Sequence, residues 1–195
     1  MKSSSFNTGW YCRHLGESGL GRQVTIPHDA MLSEERTATA SGGLNVGWFE
    51  GMDYLYTKKF TLTAEEAKKH RVIEFEGVYR KAEVRLNGKP AAFRPYGYTN
   101  FYVPIDRLVC EGENTLEVIA RNSDQPNSRW YSGAGIYRPV TMWESGDSYI
   151  ELNGVKIRTL SINPARVEIT VKTHGTGKAT LKILDGGETV ASAEA

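Results

Sequence analysis

The chain has 195 residues, 24 of them Lys or Arg against 23 Asp or Glu, for a formal net charge of +1. A hydrophobic fraction of 39% and a charged fraction of 24% belong to a folded globular chain rather than a disordered one, and the length suits one to two domains. So even a charge balance supplies no field for nucleic acid or an anionic membrane, and no apolar run approaches the roughly 18–20 residues of a spanning helix.

The opening Met1-Lys2-Ser3-Ser4-Ser5-Phe6-Asn7 lacks the apolar core of a secretory signal, so a cytoplasmic location is expected unless a leader has been trimmed. Cys12 and Cys110 have neither CxxC spacing nor histidines at zinc-ligand distance. Two buried free thiols are expected, with a disulfide left open. In Val24-Thr25-Ile26-Pro27-His28-Asp29-Ala30, Pro27 fixes φ and Asp29 suits a turn cap. An acid/base pair of His28 and Asp29 is the lesser alternative, because adjacent side chains commonly point apart. His14, His70 and His174 are isolated, and no cluster of His, Cys and carboxylates has metal spacing, so neither metal nor cofactor is expected.

From residue 54 onward alternation with period two predicts strands with one buried face. Tyr54, Tyr56, Phe60 and Leu62 share one parity, interrupted by Lys58. Thr63-Ala64-Glu65-Glu66 reads as a capping box opening a short helical turn that ends near His70. Val84 and Leu86 alternate with Glu83 and Arg85 before Asn87-Gly88, a hairpin turn that tolerates positive φ. Phe101, Val103 and Ile105 alternate in the same way. So do Leu116, Val118 and Ala120 after the turn Glu111-Gly112-Glu113-Asn114. Strands at such spacing with almost no helix predict an all-β, antiparallel sandwich or jelly roll.

The texture changes near Glu144-Ser145-Gly146-Asp147. Apolar runs at Val155–Ile162, Val167–Val171 and Leu181–Ile183 are separated by Asn163-Pro164 and Gly175-Thr176-Gly177. Two domains are therefore expected, 1–146 and 147–195. The second is shorter than the roughly 100 residues of a seven-stranded sandwich, so it is expected to be partial, with an apolar face and an unpaired edge through which the chain self-associates.

Asn122 to Arg138 is the least ordinary stretch. A polar loop runs into Trp130 and Tyr131, then small residues, then a strand. Aromatic rings beside Asn, Asp and Arg suit carbohydrate, whose C–H faces stack on rings while its hydroxyls take hydrogen bonds. The alternative is a loop whose aromatics plug the end of the sandwich, and the residues alone leave both open. Glycoside hydrolysis needs two carboxyl groups flanking the scissile bond. Glu50, Asp53 and Asp124 lie near aromatics, but sequence does not place them. No G-x-S-x-G elbow, P-loop or dinucleotide fingerprint is present.

Several of these segments together resemble the N-terminal region of glycoside hydrolase family 2, the β-galactosidase and β-glucuronidase family. They are Ile26-Pro27-His28-Asp29, Leu55–Phe60, Phe75–Tyr79, Ala82–Gly88, Gly97-Tyr98-Thr99-Asn100-Phe101, Gly112-Glu113-Asn114 and above all Asn127–Arg138. Order and spacing agree over residues 6–143. The resemblance implies a jelly-roll sugar-binding domain, galactose-binding-domain-like, followed by the start of an immunoglobulin-like sandwich. It also implies catalytic glutamates on a (β/α)₈ barrel outside these residues, so no catalytic residue is assigned here. In the family this region lends a loop to the barrel's active site, which points to Asp124, Asn127, Arg129, Trp130 and Tyr131 as substrate-binding. Arg129 stands where several members carry a sugar-touching aspartate, and Gly51 where β-galactosidases carry an asparagine. The expected role is a non-catalytic recognition and scaffold module of a β-glycosidase, binding carbohydrate together with the barrel. An autonomous carbohydrate-binding module and a purely structural or oligomerisation module are the alternatives.

Overall fold

Ten strands lie between Lys2 and Ser145, four of them on the runs whose alternation predicts strands. They are β1 (Lys2–Ser5), β2 (Trp10–His14), β3 (Arg22–Val24), β4 (Asp53–Leu62), β5 (His70–Phe75), β6 (Ala82–Leu86), β7 (Lys89–Arg94), β8 (Phe101–Pro104), β9 (Gly112–Arg121) and β10 (Val140–Ser145). The computed structural model describes residues 1–194. The chain divides into two units, Ser3–Glu144 and the remainder from Ser145 together with Met1–Lys2.

In the larger unit a four-stranded sheet of order β1-β10-β5-β8 and a six-stranded sheet of order β3-β2-β4-β9-β6-β7 share one core, giving a galactose-binding-like β-sandwich. Ile73 and Phe75 of β5, Phe101 and Val103 of β8 and Val140 of β10 pack with Tyr54, Tyr56, Val84, Leu86, Leu116 and Val118 of the larger sheet. Phe75 and Phe101 stack at 5.0 Å between ring centroids. The spine is the β4–β9 ladder, in register from Asp53↔Arg121 to Leu62↔Gly112.

Lys58 breaks the apolar parity of β4 yet remains on the core side, only 7% exposed. Its ammonium lies 4.3 Å from the Phe6 ring centroid and donates to the Thr8 carbonyl. Ring faces and a carbonyl replace the lost water, while burial lowers its pKa. Among the described residues α1 (Ala64–Ala67) is the one α-helix, beside short 3-10 turns at Ala30–Ser33 and Gly43–Val46, and its capping box forms, with the Glu66 amide donating to Thr63 Oγ1 and the Thr63 amide to the Glu66 carboxylate. Asn87 and Gly88 turn the β6–β7 hairpin with φ of 51° and 75°, as the type I′ pair requires.

The thiol expectation is half corrected. Both cysteines are free, but only Cys12 is buried and Cys110 is exposed. Cys110 sits in the turn into β9, where buried Asn114 accepts the Cys110 amide and donates to the Cys110 carbonyl, so backbone pairing rather than thiol packing places it. Burial pushes the Cys12 thiol up to about 11, which keeps it protonated and inert.

The smaller unit holds two antiparallel hairpins, β11 (Tyr149–Ile162) with β12 (Ala165–His174) and β13 (Thr180–Asp185) with β14 (Glu188–Glu194). Pairing of Val155 with Val171 and Ile157 with Ile169 puts an apolar stripe on one face. An apolar cleft of about 330 Å³ lies among Val167, Ile169, Leu181, Ile183 and Ala191. Ile157 remains 70% and Ile162 88% exposed. No helix among the described residues is long and apolar enough to cross a membrane.

Candidate functional site

The connection from β9 to β10 carries the aromatic segment, and it is tied down at both ends. At its start Asp53, the first residue of β4, accepts the amides of Asn122 and Ser123, each at 2.9 Å, and the Arg121 guanidinium at 3.2 Å. Burial opposes the charge on Asp53, but these bonds outweigh it and hold the carboxyl below its ordinary pKa. At its return the connection pairs like a strand. Gly135 and Tyr79 exchange amide bonds of 2.8 and 2.9 Å, and the amides of His28 and Ala30 donate to Ile136 and Ala134.

Asp29 joins that return to the loop tip. Its Oδ1 accepts the amides of Met31 and Ala134, and its Oδ2 accepts the Tyr131 hydroxyl at 2.7 Å. Burial and this bond raise the Tyr131 pKa well above the ordinary phenol value, so the phenol stays a neutral donor. Asp29 is thus a turn cap with a second task. His28, its neighbour, turns the other way and bonds through Nδ1 to the Tyr56 hydroxyl at 2.8 Å, so the two do not form an acid/base pair.

The loop tip lies between two aromatic groups. On one side the Tyr131 ring packs 5.9 Å from Phe49. On the other, the Trp130 indole N–H donates to the Tyr98 hydroxyl at 3.2 Å. Tyr98 in turn packs against Tyr79, Tyr96 and Tyr137 at centroid distances of 5.3, 5.6 and 6.5 Å. Trp130 is nevertheless 60% exposed and Tyr131 40%. Large rings are held in place and stay partly exposed.

The five residues singled out from sequence fall into two sets. Arg129, Trp130 and Tyr131 are exposed at the tip, and Arg129 has no side-chain hydrogen bond or ion pair among the described residues. Asn127 is engaged by protein on every side, donating to Asn122 Oδ1 at 2.8 Å and the Asp124 carbonyl at 2.9 Å and accepting from Tyr79 at 3.1 Å. Asp124 pairs with Arg80 at 2.9 Å and Lys81 at 3.3 Å, and Lys81 first, then Arg80, lowers its pKa. Of the other two carboxylates considered, Glu50 binds Ser41 and Asp53 holds the loop. Sequence reading missed Asp29 as a support for Tyr131, and missed Tyr79, Tyr96, Tyr98 and Phe49. The signals for the tyrosines were their density in Tyr96-Gly97-Tyr98 and the place of Tyr79 and Tyr98 in segments that carry the family resemblance.

Residues 39–139 match the family described as the glycosyl hydrolase 2 galactose-binding domain-like family. The chain belongs to that family. It is 34% identical to the β-galactosidase BoGH2A of Bacteroides ovatus, over 87% of this chain but 21% of that protein. Among solved structures, a β-glycosidase from Bacteroides vulgatus superposes with a TM-score of 0.84 at 28% identity, over 100% of this chain and 28% of that one. A glycosyl hydrolase family 2 member from Bacteroides cellulosilyticus gives 0.83 at 27% identity, again over 100% of this chain and 28% of its own. The chain therefore spans between 21% and 28% of the length of these relatives. Within this galactose-binding-like unit, Gly51 has no room for a side chain, because a Cβ there would overlap Gln125 and the Asn122 carbonyl. The space beside Gly51 is taken by supports of the site loop.

Proposed function

We propose that this chain is the non-catalytic recognition module of a β-glycosidase, and that Arg129, Trp130 and Tyr131 form one wall of a sugar site completed by residues outside these 195. The observation that carries this reading is Trp130, a ring 60% exposed whose indole N–H is oriented by Tyr98. A fixed, exposed ring is what stacking on a sugar face requires. Asn127 acts as a support in this reading, and Asp124 as part of the surface ion pairs with Arg80 and Lys81.

Half a pocket binds weakly. Titration calorimetry of this chain with galactose, glucose or glucuronate is expected to give Kd values weaker than about 1 mM, and micromolar binding would favour a self-sufficient carbohydrate-binding module. In the enzyme that carries this chain, Trp130→Ala is expected to cost about tenfold in kcat/KM, the scale of one lost stacking contact, with the unfolding midpoint little changed. A lowered midpoint with unaltered kinetics would make the loop a buttress instead.

The apolar stripe of β11 and β12 motivates a further expectation for the isolated chain. Sedimentation velocity should show concentration-dependent self-association, abolished by Ile157→Lys. A monomer at every concentration would refute it.

A further inference from the structure

Most side-chain donors of the loop tip are spent on the protein itself. The Trp130 indole N–H donates to the Tyr98 hydroxyl at 3.2 Å. An indole has no second polar group, so Trp130 meets a ligand with its ring alone. The Ser128 hydroxyl donates to the Trp130 carbonyl and the Ser132 hydroxyl to that of Gly133. The Tyr131 hydroxyl donates to Asp29 Oδ2 at 2.7 Å, in a bond that lies at the exposed surface.

Asp29 sets the direction of that last bond. Its Oδ1 takes the backbone amides of Met31 at 3.1 Å and Ala134 at 3.0 Å, which leaves Oδ2 to Tyr131. Gly133 closes the arrangement. Its φ is +67°, and a Cβ there would stand 2.6 Å from Asp29 Oδ2, so its backbone lies against the carboxylate. On the far side the Tyr131 ring packs against Phe49. A carboxylate offers only lone pairs, so the phenol proton points at Asp29. Burial, and then the bond to Asp29, raise the Tyr131 pKa, and the phenol keeps its proton near neutral pH. No group among the described residues donates to the Tyr131 oxygen. A tyrosine at a surface can ordinarily give or take a hydrogen bond. With its proton committed, Tyr131 can only take one.

Resting on the sugar-site reading of the loop tip, we propose that Asp29 is a positioning residue that makes the Tyr131 oxygen an obligate acceptor, so that this wall selects a sugar presenting a hydroxyl donor to Tyr131 beside the face stacked on Trp130. A hydroxyl in that place gives its proton, whereas hydrogen or fluorine there has none to give. Asparagine at position 29 reverses the polarity. Its Oδ1 can keep the Met31 and Ala134 amides, while its Nδ2 donates to the phenol oxygen and frees the phenol proton for the ligand.

The test takes the enzyme that carries this chain and the 4-nitrophenyl β-glycoside it cleaves fastest, with each sugar hydroxyl replaced in turn by hydrogen or by fluorine. Each analogue is referred to the parent glycoside within the same variant, so that the effect of the substituent on the chemical step cancels between variants. At one hydroxyl position the wild type is expected to lose about tenfold more in kcat/KM than Tyr131→Phe does, the scale of one hydrogen bond to a fixed acceptor. The loss should be the same for hydrogen and for fluorine. In Asp29→Asn, fluorine at that position should be tolerated several-fold better than hydrogen, because the freed phenol proton meets an acceptor. Fluorine tolerated better than hydrogen in the wild type would reveal a phenol that donates, and would overturn the polarity without any change at Asp29. Unchanged discrimination in folded Asp29→Asn would overturn the role of Asp29. Trp130→Ala separates these outcomes from the reading beneath them. Unaltered kinetics in Trp130→Ala would remove the sugar site itself. A tenfold loss there, with Tyr131→Phe showing the wild-type losses for every analogue, would leave the sugar site standing and overturn the role of Tyr131.

Discussion

Gly135→Ala is expected to destabilise the galactose-binding-like unit by more than about 4 kcal/mol, a large share of the 5–15 kcal/mol typical of a domain. Gly135 has φ of +99°, a backbone region in which a Cβ is disfavoured. A Cβ there would also overlap the Tyr56 hydroxyl and crowd its ring. Neither side can give way cheaply. Tyr56 is fully buried and bonded to His28, while both backbone groups of Gly135 are paired with Tyr79. Urea denaturation followed by tryptophan fluorescence measures the loss. Gly146→Ala is the control, since Gly146 has no positive φ and open space around it, and should change stability by less than about 0.5 kcal/mol. A Gly135→Ala protein as stable as that control would show that the loop return is not the close packing described here.

Asn122→Ala is expected to cost about 2–3 kcal/mol and to loosen the loop ahead of global unfolding. Asn122 is fully buried beneath the site. Its amide donates toward the Gly133 carbonyl at 3.4 Å, and its Oδ1 accepts from Asn127 at 2.8 Å and Gln125 at 3.3 Å. One side chain therefore spans the loop from residue 125 to residue 133. Alanine leaves those groups facing a void, and a buried polar group without a partner bears its full desolvation cost. Hydrogen exchange should quicken at the loop amides between residues 123 and 133 while the β4–β9 ladder stays protected. Equal protection of the loop in both proteins would mean that Asp53 and Asp29 suffice to hold it.

Much of this was legible residue by residue. Val84 and Leu86, Phe101 and Val103, and Leu116 and Val118 point inward as their alternation requires, because side-chain direction along a strand is a local property with period two. The α1 capping box and the Asn87-Gly88 turn are equally local and stand where their residue types put them. Lys58 looked like an interruption of its strand and proved to be a core residue, because Phe6 and Thr8, some 50 positions earlier, solvate its ammonium. Cys110 shows the reverse, a residue type that is usually buried left exposed by the backbone turn around Asn114. Neither outcome follows from a window of neighbouring residues.

By itself the sequence determined the all-β class, the inward parity of the strands, the turns between them and the aromatic character of the loop, since each depends on residues a few positions apart. Only the tertiary structure decided which groups hold that loop. The Tyr131 hydroxyl meets Asp29 across 102 positions and Trp130 meets Tyr98 across 32. Such contacts exist only once the sheets have paired, because strand order is set by the common burial of apolar faces and not by proximity along the chain.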